Sequence, residues 1–189
     1  MEDRGRGAML NPAGAEGVPT DATPLPGPVD DVAAIRPTSP AEQVLVDFLE
    51  AHLALQHHLG FDGTAGWKHS SVYDLVAVHG RWSSPAPLPA EVRPRPARHC
   101  FANAAATERE HPRLTYTEGF AVPTDSPVPT AHAWCTDPDG RVIDPTWSEL
   151  GGSAYLGIRL PSHLRPHPPH NWGVLEAPDS LYPLLRSGL

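Results

Sequence analysis

The sequence predicts an α+β fold in which a helical layer packs against a small antiparallel sheet. Apolar residues recur at helical spacing within residues 40–110. Runs of β-forming residues, separated by turn residues, fill residues 114–160. A chain of 189 residues is long enough to bury one core. We therefore expect residues 39–189 to form a single domain.

Residues 1–38 predict a disordered tail in front of this domain. They are rich in Gly, Ala and Pro, and they show no apolar periodicity. Such a segment cannot bury enough apolar surface to offset the entropy that it loses on ordering. The whole chain contains 24 Pro among 189 residues, more than twice the usual share of about 5%. Loops are therefore expected to make up much of the chain.

Charge and hydropathy exclude several classes of protein. The formal net charge is −8 and no basic run stands out, so nucleic acid is a poor partner. No apolar run is long enough to span a bilayer, and no apolar segment follows the charged N-terminus as in a secretory signal. We expect a cytoplasmic protein without a membrane partner. The preference for Arg over Lys, with the high Ala and Pro content, is typical of a high-GC bacterial gene.

Three helices are predicted in the first 110 residues. Ser39-Pro40-Ala41-Glu42 forms a capping box with Pro in the first turn, so a helix begins there and runs over about 40–58. A shorter helix is predicted over 72–78. The Pro-rich residues 83–96 predict an extended connector. An Ala-rich helix then begins at Cys100.

The second half of the chain predicts strands. Three of them are expected at 114–122, 130–136 and 141–147, and a fourth at 154–160. Asp137-Pro138-Asp139-Gly140 is a strong turn sequence between the second and third strands. We also expect the apolar residues 180–185 to dock on the domain.

The hairpin around this turn brings two chemically useful residues together. A type I turn with a Gly bulge pairs Asp137 with Arg141, and hence Trp134 with Asp144. His132 is then a diagonal neighbour of Asp144 on the same face, within reach of its carboxylate. A different turn would shift the register by one residue and place the two side chains on opposite faces.

Cys100 completes a set of nucleophile, base and orienting residue. The unpaired N–H groups at a helix start favour a thiolate there, and an Asp that holds a His prepares the imidazole as a base. Each residue also has a structural interpretation, since a lone Cys is often a small buried hydrophobe. Cys135 should face away from His132, so a Cys100–Cys135 disulfide would compete with a Cys100–His132 pair. A reducing compartment disfavours that disulfide.

Four blocks of the sequence carry a resemblance to one enzyme superfamily. They are His99-Cys100-Phe101-Ala102-Asn103-Ala104, Tyr116-Thr117-Glu118-Gly119-Phe120-Ala121, His132-Ala133-Trp134 and Asp139-Gly140-Arg141-Val142-Ile143-Asp144-Pro145-Thr146-Trp147. In this order they resemble the transglutaminase-like branch of the papain-like cysteine enzymes, over roughly residues 98–158. That superfamily has a Cys at the start of a helix, packed on an antiparallel sheet that carries the His and the Asp or Asn.

The resemblance implies an enzyme with a Cys-His-Asp triad and no cofactor or metal. Cys100 would be the nucleophile, His132 the general acid and base, and Asp144 the orienting residue. The activity would be acyl transfer from a peptide, amide or thioester through a Cys100 thioester, as in a cysteine peptidase or an acyltransferase. Water as acceptor gives hydrolysis, and an amine gives transamidation. His132 and Asp144 are closer in sequence than in the large transglutaminases, which suggests a minimal version.

Four further residues are candidates for contacts with the substrate or the oxyanion. Asn103 either points toward the cleft or caps the preceding loop. Glu118 either lines the site or, as we favour, forms a salt bridge with an arginine. Trp134 and Trp147 either exclude water from the His–Asp pair or belong to the ordinary core. The backbone N–H of Cys100 could be one oxyanion donor, and the second is unassigned.

Two alternatives remain open from the sequence. A non-enzymatic binding module could retain the same fold and use the triad residues structurally. His163, His167 and His170 have the spacing of metal ligands, but they lie in a Pro-rich segment without a nearby Cys or acidic ligand. We therefore expect no metal site there.

Overall fold

The structure is a computed structural model, and it describes most of the chain from residue 35 onward. The predicted tail lies almost wholly outside the described residues, and so do His167 and His170. Described are residues 35–61, 66–149, 151–165, 173–177 and 182–189.

Four α-helices are present among the described residues. They are α1 (Pro40–His58), α2 (Val72–His79), α3 (Cys100–Glu110) and α4 (Pro183–Ser187), and a 3-10 turn covers Ser162–Leu164. The predicted capping box is confirmed, because the Ser39 hydroxyl accepts from the backbone of Glu42 while the Glu42 carboxylate accepts from that of Ser39. Ser71 caps α2 in a similar way through the backbone N–H of Asp74.

Five strands form one antiparallel sheet, which confirms the predicted α+β class. They are β1 (Arg81–Ser83), β2 (Thr115–Pro123), β3 (Thr130–Thr136), β4 (Val142–Ile143) and β5 (Gly152–Arg159), in the spatial order β1-β5-β2-β3-β4. The short strand β1 was not predicted, because three residues before a Pro-rich connector carry little strand signal. The predicted strand 141–147 was too long, since β4 ends at Ile143.

The sheet curls until its two edges meet. Ser84, just after β1, forms a bridge with Arg141, just before β4. The Ser84 backbone N–H donates to the Gly140 carbonyl at 2.9 Å, and the Val142 N–H donates to the Ser84 carbonyl at 2.9 Å. These two bonds hold the start of the Pro-rich connector, residues 83–96, beside the β3–β4 hairpin.

The two faces of the sheet carry different clusters. The face covered by α1, α2 and α3, here called the helix face, belongs to the main core with residues such as Leu45, Leu75 and Leu156. The opposite face carries a smaller aromatic cluster of Ala121, Trp134, Val142 and Tyr155, with Trp147 packed against it. Gly157 makes room for this cluster, because a Cβ there would lie 2.6 Å from the Trp134 ring.

The C-terminal residues dock on the domain. Leu184 and Leu185 of α4 are buried in the main core. The carbonyl of Leu185 accepts from the backbone N–H groups of Lys68 and His69, each at 3.0 Å. The predicted docking of 180–185 is thus confirmed for its described part, from residue 182 onward.

No helix within the described ranges is both long and apolar enough to cross a bilayer.

Candidate active site

The β3–β4 hairpin has the register that the turn sequence predicts. Cys135 pairs with Ile143 and Thr136 with Val142, and the Gly140 N–H donates to the Asp137 carbonyl at 3.0 Å. This register puts the residue after Ile143 on the face that carries Trp134, away from the helices.

His132 and Asp144 consequently meet, as predicted. The Nε2 atom of His132 lies 2.8 Å from Oδ2 of Asp144. Both side chains are almost inaccessible, at 2% and 5% exposure. A buried polar pair of this kind must satisfy its own hydrogen bonds, because water cannot do so.

The carboxylate of Asp144 is fully engaged. Its Oδ2 accepts from His132 and from the hydroxyl of Tyr155 at 3.0 Å. Its Oδ1 accepts from the backbone N–H groups of Thr146 at 2.9 Å and Trp147 at 3.1 Å. The last two bonds fold residues 144–147 into a loop around the carboxylate, which explains why β4 stops at Ile143. Tyr155 was not foreseen, because sequence alone does not give the pairing of β5.

The surroundings of the pair favour its charged form. Burial by itself lowers the pKa of His132, but the hydrogen bonds to Asp144 and to Cys100 outweigh it and raise the pKa to about 9. Burial by itself raises the pKa of Asp144, but the bonds from His132, Trp147 and Thr146 hold it below its ordinary value. The pair is therefore an imidazolium and a carboxylate at neutral pH.

Cys100 lies at the first residue of α3 and is half-buried. Its sulfur lies close enough to the His132 imidazole to raise the pKa of that ring. Since Asp144 occupies Nε2 of the imidazole, Nδ1 is the nitrogen left for the sulfur. The N-cap residue of α3, His99, forms no side-chain cap. His99 therefore does not compete with the sulfur for the N–H groups of the first turn, whereas Ser39 and Ser71 cap α1 and α2.

Asn103 ties the first turn of α3 to the Asp144 loop. Its Nδ2 donates to the Pro96 carbonyl at 2.7 Å and to the Thr146 hydroxyl at 3.0 Å. Both hydrogens of the amide group are thus engaged, so they do not serve as oxyanion donors in this arrangement. The side chain instead positions the helix that carries Cys100 against the loop that holds Asp144.

The two tryptophans surround the imidazole on the face opposite the helices. Trp147 stacks on His132, with ring centroids 3.8 Å apart and planes 10° apart. Trp134 is fully buried, and its centroid lies 6.2 Å from that of His132. Of the two, Trp147 is the one with part of its side chain accessible.

Glu118 lies on the helix face, since it pairs with Ala133 rather than with His132. Its carboxylate accepts from the backbone N–H groups of Val174, at 2.7 and 2.8 Å, and Leu175, at 3.0 Å, and from the Tyr116 hydroxyl. Among the described residues these donors, and not an arginine, contact the carboxylate, which contradicts the favoured salt bridge. Burial raises the pKa of Glu118 to about 7 despite these donors.

Cys135 also lies on the helix face and is not oxidised. It is completely buried, and its thiol donates to the Ala104 carbonyl at 3.2 Å. Both cysteines are free, and burial raises the pKa of the Cys135 thiol. The expected separation of Cys135 from His132 by strand alternation is confirmed.

No family model matches this chain, and neither a curated protein nor a solved structure matches it. Within the ranges that the structure covers, no group of three or more His, Cys, Asp or Glu side chains is placed to hold a metal ion. Of the three histidines with metal-like spacing, only His163 lies in those ranges.

Glu118→Ala should detach the segment that contains Val174 and Leu175. Removing the carboxylate leaves the N–H of part-buried Val174, the N–H of buried Leu175 and the Tyr116 hydroxyl without this acceptor, at about 1–3 kcal/mol for each group that stays buried and unsatisfied. We expect a lower free energy of unfolding and faster amide hydrogen exchange at residues 174 and 175. Glu110→Ala, which removes the ion pair of a surface carboxylate with Arg95, is the control and should change the free energy of unfolding much less. Unchanged exchange in Glu118→Ala would contradict the assignment.

The His132–Asp144 pair predicts a specific loss of stability at alkaline pH. The pKa of His132 is higher in the folded protein, at about 9, than in an unfolded chain, at about 6.5. Its contribution is therefore fully present below about pH 6.5 and disappears as the pH rises through about 9. Urea unfolding across this window should show a loss of up to about 3 kcal/mol.

The variant Asp144→Asn tests the origin of that loss. Without the carboxylate the pKa of His132 falls, so the alkaline decrease in the free energy of unfolding should shrink. Asp139→Asn removes an exposed carboxylate of the same hairpin and should leave the pH dependence as in the native protein. A decrease of equal size in all three proteins would show that His132 is not its source.

Proposed function

We propose that this protein is a cysteine-dependent acyl-transfer enzyme that works through a Cys100 thioester. The observation that supports it most is the bond of 2.8 Å between His132 and Asp144, made by an imidazole whose pKa the neighbouring Cys100 also raises. A thiol, an imidazole and a carboxylate that orients the imidazole thus lie together, which is the set of groups that nucleophilic catalysis requires.

The chemistry proceeds in two halves. His132 is an imidazolium in the resting site, so in this proposal its Nδ1 holds the proton that Cys100 has released, and the Cys100 sulfur attacks the carbonyl carbon of an amide or thioester as a thiolate. The tetrahedral intermediate expels the amine or thiol, which takes that proton, and leaves an acyl group on the sulfur. Water or an amine then attacks the thioester and gives a proton to His132. The thiolate then leaves beside the imidazolium, so that Cys100 and His132 return to their starting state.

In this proposal the start of α3 stabilises the negative charge that develops on the substrate's carbonyl oxygen. Its first-turn N–H groups carry the positive end of the helix dipole and meet no side-chain cap. The Cys100 N–H is accordingly our first oxyanion donor. Buried Trp134 and stacked Trp147 keep water from the His132–Asp144 bond, which strengthens it.

The fold is in line with the papain-like, transglutaminase-like assignment proposed for the chain. Cys100, the proposed nucleophile, begins α3, which packs on the antiparallel sheet. The proposed base, His132, lies on β3, and the orienting residue, Asp144, lies in the loop that follows β4. The proposed reaction covers hydrolysis and transamidation alike, because both use the same triad and differ in the acceptor.

Thiol alkylation as a function of pH tests the proposed activation of Cys100. Native protein and His132→Ala are treated with iodoacetamide between about pH 6 and 9, and peptide mapping separates the two cysteines. In the native protein Cys100 should react well below about pH 8.5, the midpoint of an ordinary thiol, while buried Cys135 stays inert. His132→Ala should slow Cys100 at pH 6–7 by about tenfold or more.

His163→Ala is the matched control, since it removes an exposed histidine outside the site and should leave the profile unchanged. An inert Cys100, or one that reacts equally in His132→Ala, would remove the support for catalysis. A non-enzymatic binding module would then be the better interpretation.

A further inference from the structure

Two histidines that the proposed reaction does not use lie against each other at α2. His69 precedes the helix and is buried, with 7% of its surface exposed, while His79 is the last helical residue and is half-buried. The Nε2 atoms of the two rings are 3.1 Å apart. The backbone N–H of His69 donates to the Leu185 carbonyl at 3.0 Å, so α4 holds His69 in this position.

The geometry of this histidine pair is unfavourable for a simple hydrogen bond. Two imidazole nitrogens this close share a proton or a metal ion, because two lone pairs or two N–H groups would repel each other. The ring centroids are 4.9 Å apart and the ring planes are inclined by 77°. Rings in line with the contact between the two nitrogens would have centroids farther apart than this. At least one lone pair therefore points to the side of that contact, which weakens a hydrogen bond.

A metal ion fits this geometry, because it lies beside the line between its two ligands. Zn²⁺ binds imidazole nitrogens at about 2.0–2.1 Å in tetrahedral geometry, which places two of them about 3.3–3.4 Å apart. A side-chain movement of a few tenths of an ångström brings the two Nε2 atoms to that separation. Imidazole is also a ligand type that suits Zn²⁺.

Asp74 is placed to support His69 as a metal ligand. Its Oδ2 lies 3.3 Å from Nδ1 of His69, across the ring from the nitrogen that faces His79. A carboxylate at one ring nitrogen keeps the proton there and leaves the other nitrogen with the lone pair that binds metal. Arg81 opposes this effect, since its charge disfavours positive charge at His79 whereas the charge of Asp74 favours it.

We propose that His69 and His79 bind one zinc ion through their Nε2 atoms, with the Asp74 carboxylate behind His69. These residues supply two protein ligands, so the other positions of the ion are open to water. The site uses none of the triad residues and does not depend on the proposed function. Because the two rings meet only in the folded chain, zinc binding stabilises the folded protein.

Zinc binding can be measured in the full-length Cys100→Ala protein, which lacks the half-buried thiol as a competing ligand. Zn²⁺ is titrated at about pH 7.5, where an ordinary histidine is neutral, in competition with a chromophoric chelator. We expect one ion per chain with a dissociation constant of about 1–100 μM, weaker than that of a four-ligand site. The ¹⁵N NMR resonances of Nε2 in His69 and His79 should shift, and the melting temperature should rise with zinc.

Substitutions in the same background separate this site from the other histidines. His79→Ala should weaken zinc binding at least about tenfold and abolish the rise in melting temperature, and Asp74→Asn should weaken binding about tenfold. His163→Ala removes an exposed histidine elsewhere and Asp47→Asn removes an exposed carboxylate of α1. Both of these control variants should bind zinc as the parent protein does.

The NMR measurement needs no change at the site, so it decides the question even where a variant does not fold. The proposal would be overturned by zinc that fails to bind at millimolar concentration, or by zinc that leaves both Nε2 resonances in place. An unchanged affinity in folded His79→Ala would overturn it as well, and the pair would then share only a proton. An unchanged affinity in Asp74→Asn would contradict the role of that carboxylate.

Discussion

The hydrogen bond between His132 and Asp144 is the constraint on which the site depends. Burying an imidazole and a carboxylate is costly unless each finds its partners. Two backbone N–H groups of the Asp144 loop and the Tyr155 hydroxyl donate to the carboxylate, and Trp147 stacks on the imidazole. These contacts offset the cost of burial. Because those partners come from the hairpin, the loop and β5, the pair exists only when the sheet is correctly assembled.

Cys100, the proposed nucleophile, is connected to the same arrangement through α3. Asn103 bonds to Thr146, and the Arg95 N–H donates to the Pro145 carbonyl at 2.8 Å. The start of α3 is thereby fixed to the loop that holds Asp144. A shift of either element would separate the sulfur from the imidazole, and positioning errors of about 1 Å are enough to impair catalysis. These contacts therefore fix the position of Cys100 in addition to stabilising the fold.

Local signals explain which features could be predicted. The capping box at Ser39 gave the start of α1, and the turn at Asp137–Gly140 gave the hairpin register and with it the His132–Asp144 contact. Contacts between residues far apart in the sequence could not be predicted, because no local pattern marks them. The bonds from Val174 and Leu175 to Glu118 span more than 50 residues, so no local pattern pointed to these donors. The sequence showed only a carboxylate in an apolar strand, for which an arginine was the expected partner.

Trapping the acyl-enzyme tests the proposed thioester most directly. The protein is mixed with an activated acetyl thioester, quenched in acid and analysed by intact mass and peptide mapping. We predict a single acetyl group on Cys100, its absence in Cys100→Ala, and slow formation in His132→Ala. An acetyl group on neither cysteine, or equal labelling of Cys100 and Cys135, would contradict the assignment of Cys100 as the nucleophile.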